Sequence, residues 1–136
     1  MPVKLENADL IKSAKAARLS AYAPYSKYRV GAALHTKSGK IYVGANVENA
    51  AYPDSICAER VAVFKAVTDG ERDFDAIAVV TRDGGAPCGS CRQVLAEFAL
   101  DAKVLIANEK GEVVKETSVR KLLPEAFLPS NLNVQP

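Results

Sequence analysis

A fourth cysteine is missing from this sequence, and so is a second histidine. Cys57, Cys88, Cys91 and His35 are the only thiol and imidazole groups among its 136 residues. An odd number of cysteines cannot form a complete disulfide framework, so their spacing needs another explanation. No apolar run is long enough to span a bilayer. The stretch from Met1 to Asp9 is polar and lacks the apolar centre of a signal peptide. A cytoplasmic location is expected. Neither sign of charge dominates, because 18 Lys and Arg stand against 16 Asp and Glu and the basic residues are scattered. Such a surface lacks the electrostatic footprint of a nucleic-acid polymer or a membrane as partner. No repeat, low-complexity tract or linker interrupts the chain. Residues 1–136 are therefore expected to form one domain, large enough to bury a core without disulfides.

Patterned segments fill the chain instead. Leu10, Ala14, Ala17 and Ala21 recur at helical spacing and predict a helix from about Asn7 to Tyr22, with Pro24 barring its continuation. Tyr28 to Thr36 reads as a strand, and Lys37-Ser38-Gly39-Lys40 turns into a second one. There Ile41, Val43, Ala45 and Val47 alternate with Tyr42, Gly44, Asn46 and Glu48. The alternation predicts one apolar face, with Asn46 and Glu48 projecting together from the other. A loop through Tyr52-Pro53-Asp54-Ser55 leads into a helix from about Cys57 to Asp69.

Phe74 to Thr81 and Lys103 to Ala107 carry apolar runs typical of strands buried on both faces. Between them, Asp83-Gly84-Gly85-Ala86-Pro87 opens a helix that runs through Ala99. Glu109-Lys110-Gly111 turns into a last strand near Glu112 to Thr117. The fold class is α/β: a sandwich built on a mixed sheet of about five strands with helices packed on it. The helix after Cys57 has almost no polar face, because Val61, Ala62, Val63, Phe64, Ala66 and Val67 surround it. That pattern predicts self-association, with deep burial inside one subunit as the alternative.

Cys57-Ala58-Glu59 and Pro87-Cys88-Gly89-Ser90-Cys91 each follow a loop and open a helix. Free amides and the helix dipole favour negative charge at such places, and the thiolate is the metal-binding form of cysteine. Cys88 and Cys91 on one first turn can direct two sulfurs at one ion, and Cys57 supplies a third. Three protein ligands on zinc leave a fourth position for water, the mark of a catalytic site. His35 lies mid-strand, away from both clusters, and reads as an ordinary strand residue. Three thiolates leave zinc with a net negative charge, so something must draw charge from the sulfurs. Arg60 and Arg92 are the candidates, the alternative being a solvated helix side chain. Glu59 is placed to take a proton from water at the open position and pass it to a substrate nitrogen.

The spacing of Cys-Ala-Glu and Pro-Cys-x-x-Cys resembles that of the zinc deaminases. Along nearly its whole length the chain is similar to the small homotetrameric cytidine deaminases. The matching stretches are Ala23-Pro24-Tyr25-Ser26, Val30-Gly31-Ala32-Ala33, Asn46-Val47-Glu48-Asn49-Ala50, Cys57-Ala58-Glu59-Arg60, Pro87-Cys88-Gly89-Ser90-Cys91-Arg92-Gln93 and Leu122-Leu123-Pro124. The resemblance implies a three-layer fold, Zn²⁺ as cofactor and hydrolytic deamination of cytidine and deoxycytidine with release of ammonia. It implies a homotetramer and a nucleoside as the small-molecule partner.

The same resemblance implies a substrate site at Asn46, Val47 and Glu48, with Asn46 and Glu48 on the ribose hydroxyls. Tyr28 would flank the pyrimidine, Tyr52 and Phe127 would reach a neighbouring subunit's pocket, and the backbone at Ala58 and Cys88 would orient the amine. Tyr28 stands where the resemblance implies phenylalanine, and Ala86 where serine is common. Two other readings stay open. A deaminase of a modified nucleoside or aminonucleoside antibiotic would share the metal motif without needing Asn46 and Glu48. A non-enzymatic zinc-binding module would need a fourth protein ligand, which the sequence lacks.

Overall fold

The computed structural model describes residues 5–136, so the first four residues of the polar N-terminal stretch lie outside the described residues. Its elements are α1 (Asn7–Arg18), β1 (Gly31–Thr36), β2 (Ile41–Ala45), α2 (Ala58–Thr68), β3 (Phe74–Val80), α3 (Gly89–Ala99), β4 (Lys103–Ala107), β5 (Val113–Ser118) and a single turn, α4 (Val119–Leu122). The strands form one sheet in the order β2-β1-β3-β4-β5. Only β3 and β4 run parallel, joined through α3, and the other neighbours are antiparallel. The apolar runs of β3 and β4 belong to inner strands of the sheet, where both faces are covered.

Alternation along these strands divides the core into two layers. Ala32, Leu34, Ile77, Val79, Val104 and Ile106 pack in one cluster with Ala62 and Val63 of α2 and Leu95 and Ala96 of α3. The intervening Ala33, Ala76, Ala78, Val80, Leu105 and Ala107 meet Leu10, Ile11 and Ala14 of α1. One helix thus covers one face and two helices cover the other, giving three layers. Glycine sets how closely the helices approach. A Cβ at Gly31 would collide with the Ala14 carbonyl oxygen and lie 2.5 Å from the Arg18 backbone nitrogen. One at Gly44 would lie 2.5 Å from the Ala58 carbonyl oxygen and 2.6 Å from the Ala62 nitrogen. Gly44 therefore fixes the position of the end of α2 that carries Cys57.

The predicted ends of three elements move. α1 stops at Arg18 rather than near Tyr22, because Tyr22 pairs with Val47 in an isolated bridge. β1 starts at Gly31, since the stretch before it is held by the Asn46 side chain rather than by a strand ladder. β2 ends at Ala45, and its apolar side is divided: Val43 packs against the core layer that holds α1, while the two ends of the pattern lie open. Ile41 and Val47 are 42% and 47% exposed, whereas Asn46 and Glu48 are each only 8% exposed. The polar residues face a cleft, and an edge strand leaves its other side open. In the helix after Cys57, Ala62, Val63 and Ala66 are buried while Phe64 stays exposed. No helix among the described residues is long and apolar enough to cross a membrane.

Replacing Gly31 or Gly44 by alanine should force a helix away from the sheet and destabilise the fold by about 1–3 kcal/mol. Urea unfolding monitored by circular dichroism measures this. Midpoints equal to wild type would mean that the helices are not seated on these glycines.

Candidate active site and metal centre

Two helices start beside the same cleft. Cys57 is the N-cap residue of α2 and Cys88 that of α3, and neither side chain bonds its own helix backbone. The sulfurs therefore remain free for a third party. Cys91 follows one turn later on α3, fully buried. The Cys57 and Cys88 sulfurs lie 3.8 Å apart, those of Cys88 and Cys91 3.5 Å apart, and all three fall within 4.8 Å of one another. Sulfurs bound to a tetrahedral zinc at 2.3 Å stand about 3.8 Å apart, so the donor type, number and spacing fit that ion. The three cysteines are free of disulfides. His35 is elsewhere, with its Nδ1 2.6 Å from Asp75 on the neighbouring strand.

The cluster holds its protons unevenly. Hydrogen bonding with Cys91, helped by the Arg60 guanidinium and Cys88, pulls the Cys57 thiol down to about 5 despite partial burial. The same bond to Cys57, together with burial, pushes Cys91 up. Of the two arginines considered from sequence, Arg60 is the one that reaches a thiol: its Nη2 lies 3.4 Å from the Cys57 sulfur. Its Nε is buried without a hydrogen-bond partner. Arg92 turns to backbone instead, donating from Nε to the Pro87 carbonyl at 2.7 Å and from Nη1 to the Leu122 carbonyl at 3.0 Å. It braces the loop that presents Cys88 and does not neutralise a sulfur.

Glu59 is 4% exposed and lines the cleft beside Cys57, Arg60 and Cys88. Burial, opposed by its own backbone N–H and reinforced by the Cys57 charge, pushes its carboxyl up to about 7. A carboxyl with that value exchanges protons readily near neutrality. The cleft has a volume of about 570 Å³, within the usual range for a small-molecule site. Asn46, Glu48, Tyr28 and Tyr52 also line it, so Tyr52 stands in its own chain's cleft, where the resemblance had implied a neighbour's.

The polar pair is busier than the sequence suggested. Glu48 Oε1 accepts from the backbone N–H of Tyr25 at 3.0 Å and of Ser26 at 3.1 Å, and Oε2 accepts from the Ser26 hydroxyl. The Ser26 hydroxyl is the main reason the Glu48 carboxyl sits below the ordinary carboxylate range. Asn46 donates from Nδ2 to the Tyr28 carbonyl at 2.9 Å and accepts the Val30 N–H on Oδ1 at 2.8 Å. Both side chains thus hold the loop that carries Tyr28.

Val47, Ala58 and Phe127 do not join this wall. The Val47 side chain points outward and its N–H and C=O both pair with Ile56. Ala58 is wholly buried, and its backbone, the part expected to orient the amine, opens α2 next to Cys57. Phe127 is 57% exposed and away from this chain's own cleft, its carbonyl accepting from Gln93 Nε2. Ser26, Thr81 and Gly85 line the cleft and were not singled out from sequence. Ser26 stood in the stretch Ala23-Pro24-Tyr25-Ser26 without a role, Thr81 closed a predicted strand, and Gly85 belonged to a loop.

Residues 5–107 match the cytidine and deoxycytidylate deaminase zinc-binding region. The chain belongs to this deaminase family. A cytidine deaminase of Sporosarcina psychrophila is 53% identical over 127 residues, 91% of this chain and 93% of that one. A blasticidin-S deaminase of Bacillus cereus is 35% identical over 109 residues, covering 73% of this chain and 76% of that one. The crystal structure of a cytidine deaminase from Burkholderia pseudomallei superposes with a TM-score of 0.86 at 50% identity, covering 90% of this chain and all of that chain. The family, like the sulfur geometry, calls for zinc.

Cys88→Ala should leave two thiols and lose most of the metal. Atomic absorption on purified protein is expected to find about one zinc per wild-type chain and far less in the variant. Full occupancy in the variant would mean that the ligands have been misassigned.

Proposed function

We propose that the protein is a zinc-dependent hydrolase that converts cytidine and deoxycytidine to uridine and deoxyuridine, releasing ammonia. The carrying observation is the buried Glu59 carboxyl beside three converging cysteine sulfurs, in a cleft that also holds Asn46 and Glu48. The relatives named cytidine deaminase support the same activity. Such an enzyme belongs to pyrimidine salvage and acts on a nucleoside, not on a polymer.

Zinc held by Cys57, Cys88 and Cys91 supplies the Lewis acidity that makes a water nucleophilic at neutral pH. The proton movements fall to this chain. Glu59 takes the proton that water gives up on adding to C4 of the cytosine and delivers it to N3. It then carries a second proton to the departing amino group, so that neutral ammonia leaves and the 4-carbonyl of uracil remains. Arg60 offsets the negative charge of the sulfurs through Cys57. Glu48 has used three of about four acceptor sites on the Tyr25–Ser26 backbone and hydroxyl, leaving one for a ribose hydroxyl. Asn46 keeps one amide hydrogen for the same sugar. Tyr28 and Tyr52 supply apolar walls for the base.

Several further readings belong to the same proposal. Residues 1–136 act as one domain. The free thiols suit a reducing, cytoplasmic setting. Exposed Phe64 and Phe127 suit a homotetramer in which Phe127 enters a neighbour's pocket. A second reading, deamination of an aminonucleoside antibiotic, draws on the similarity to the blasticidin-S enzyme. A panel of cytosine and adenine nucleosides plus blasticidin S, followed by ammonia release, separates the two.

Glu59→Gln should keep its zinc yet lose deamination by about 10²–10⁴-fold, because the amide fills the same space without taking a proton. Wild-type turnover in the zinc-loaded variant would remove Glu59 from the mechanism.

The assembly is expected to persist on dilution, since a core-like interface of this kind is extensive. Light scattering at low micromolar concentration should return the mass of four chains. A fully active monomer would end both the tetramer and the shared-pocket role of Phe127.

A further inference from the structure

Tyr28 walls the cleft, yet it belongs to neither helix nor sheet. It lies just before β1, and Asp83 lies just after β3. The two strands are antiparallel neighbours whose ladder reaches Gly31 opposite Val80 at this end. Beyond that pair, no backbone hydrogen bond links the loop at residues 25–30 to the loop at residues 81–88. Side chains make the link instead. The Tyr28 hydroxyl donates to Asp83 Oδ1 at 2.5 Å, and the Thr81 hydroxyl donates to the same oxygen at 3.3 Å. Thr81 Oγ1 in turn accepts the N–H groups of Gly84 and Gly85 at 2.8 and 2.7 Å.

Three more contacts fix the tyrosine. Its backbone N–H donates to the Ser26 hydroxyl and its carbonyl accepts from Asn46. The Arg82 guanidinium lies 5.5 Å from the ring centroid. A Cβ at Gly85 would come within 2.5 Å of the phenol oxygen, so only glycine leaves the hydroxyl its place. Asp83 itself does not line the cleft. Its carboxyl lies below the usual range, with the bond from Tyr28 as the leading cause.

We propose that Asp83 is a positioning residue: through the Tyr28 hydroxyl it clasps the loop before β1 to the loop that ends at Cys88, and so fixes the aromatic wall of the substrate cleft. A charged acceptor suits this task, because a phenol bonds a carboxylate more strongly than a neutral oxygen. The clasp is partly open to water, so its loss should loosen the wall without unfolding the protein. Its kinetic expression rests on the cytidine deaminase reading, while its structural expression does not.

The test is a double-mutant cycle on the zinc-loaded enzyme. Tyr28→Phe and Asp83→Ala should each raise KM for cytidine about fivefold, the loss of one hydrogen bond. In both, kcat should change less than twofold and zinc content not at all. The double variant should be no worse than either single one, because both remove the same bond. Asp83→Asn, which keeps an accepting oxygen, should stay within about twofold of wild-type KM. Amide hydrogen exchange at residues 26–30 should quicken in both single variants.

Additive losses in the double variant would overturn the clasp. So would unchanged KM and unchanged exchange in Asp83→Ala, or an Asp83→Asn as impaired as Asp83→Ala. A fall in kcat together with loss of zinc would mean that Asp83 merely supports the metal loop, which also overturns it. If wild-type protein deaminates no nucleoside in the panel, the proposed function fails, and the exchange measurements alone decide the clasp.

Discussion

Two helix N-termini converge on one point, each with a cysteine at its cap position, and the other features of the molecule follow from this meeting. Like partial charges at two helix starts repel one another, and three sulfurs that must shed their protons to hold a metal would repel as well. Each is tolerable only because the other is there, with a divalent cation completing the balance. The fold serves the convergence. The β3–α3–β4 crossover fixes where α3 begins, and the glycine at position 44 lets α2 press onto the sheet edge at the required height. Arg92 then braces the Pro87 carbonyl, one residue before the second cap.

The edge of the sheet is the second organising element. Asn46 and Glu48 lie just past the end of β2, on either side of Val47, whose backbone is bridged to Tyr22 and Ile56, and their side chains hold the loop before β1. Asn46 mimics a strand partner to the segment at Tyr28–Val30, and Glu48 gathers the Tyr25–Ser26 amides. A side chain pinned by the backbone it supports has little freedom left to lose when a ligand arrives. The placement of Asn46 and Glu48 and the shape of the wall at Tyr28 are therefore one structural fact.

The metal centre was legible in the sequence because its signals are local: cap positions, a helical i, i+3 pair and a glutamate in the first turn. β3 and β4 were legible because an apolar run flanked by turn signals has few other homes. Lys103–Ala107 is found where the pattern placed it, and Phe74–Val80 ends one residue short. Asn46 and Glu48 share one side of the chain, as the alternation implied, and both line the cleft, a buried polar surface that alternation alone does not tell from solvent. The early end of α1 depended on Tyr22 finding Val47 across 25 positions of sequence. Asp83 carried no signal beyond that of a turn residue. Its partner Tyr28 is 55 positions away, and only the closed sheet brings the two together.

The cysteines differ in exposure, with Cys57 and Cys88 on the cleft wall and Cys91 sealed behind them. Metal and substrate must then share a single doorway. The thiols that a small molecule in the cleft would meet are those of Cys57 and Cys88, while Cys91 is screened from it. Access to a metal held there would be a property of the cleft as much as of the thiols that would hold it.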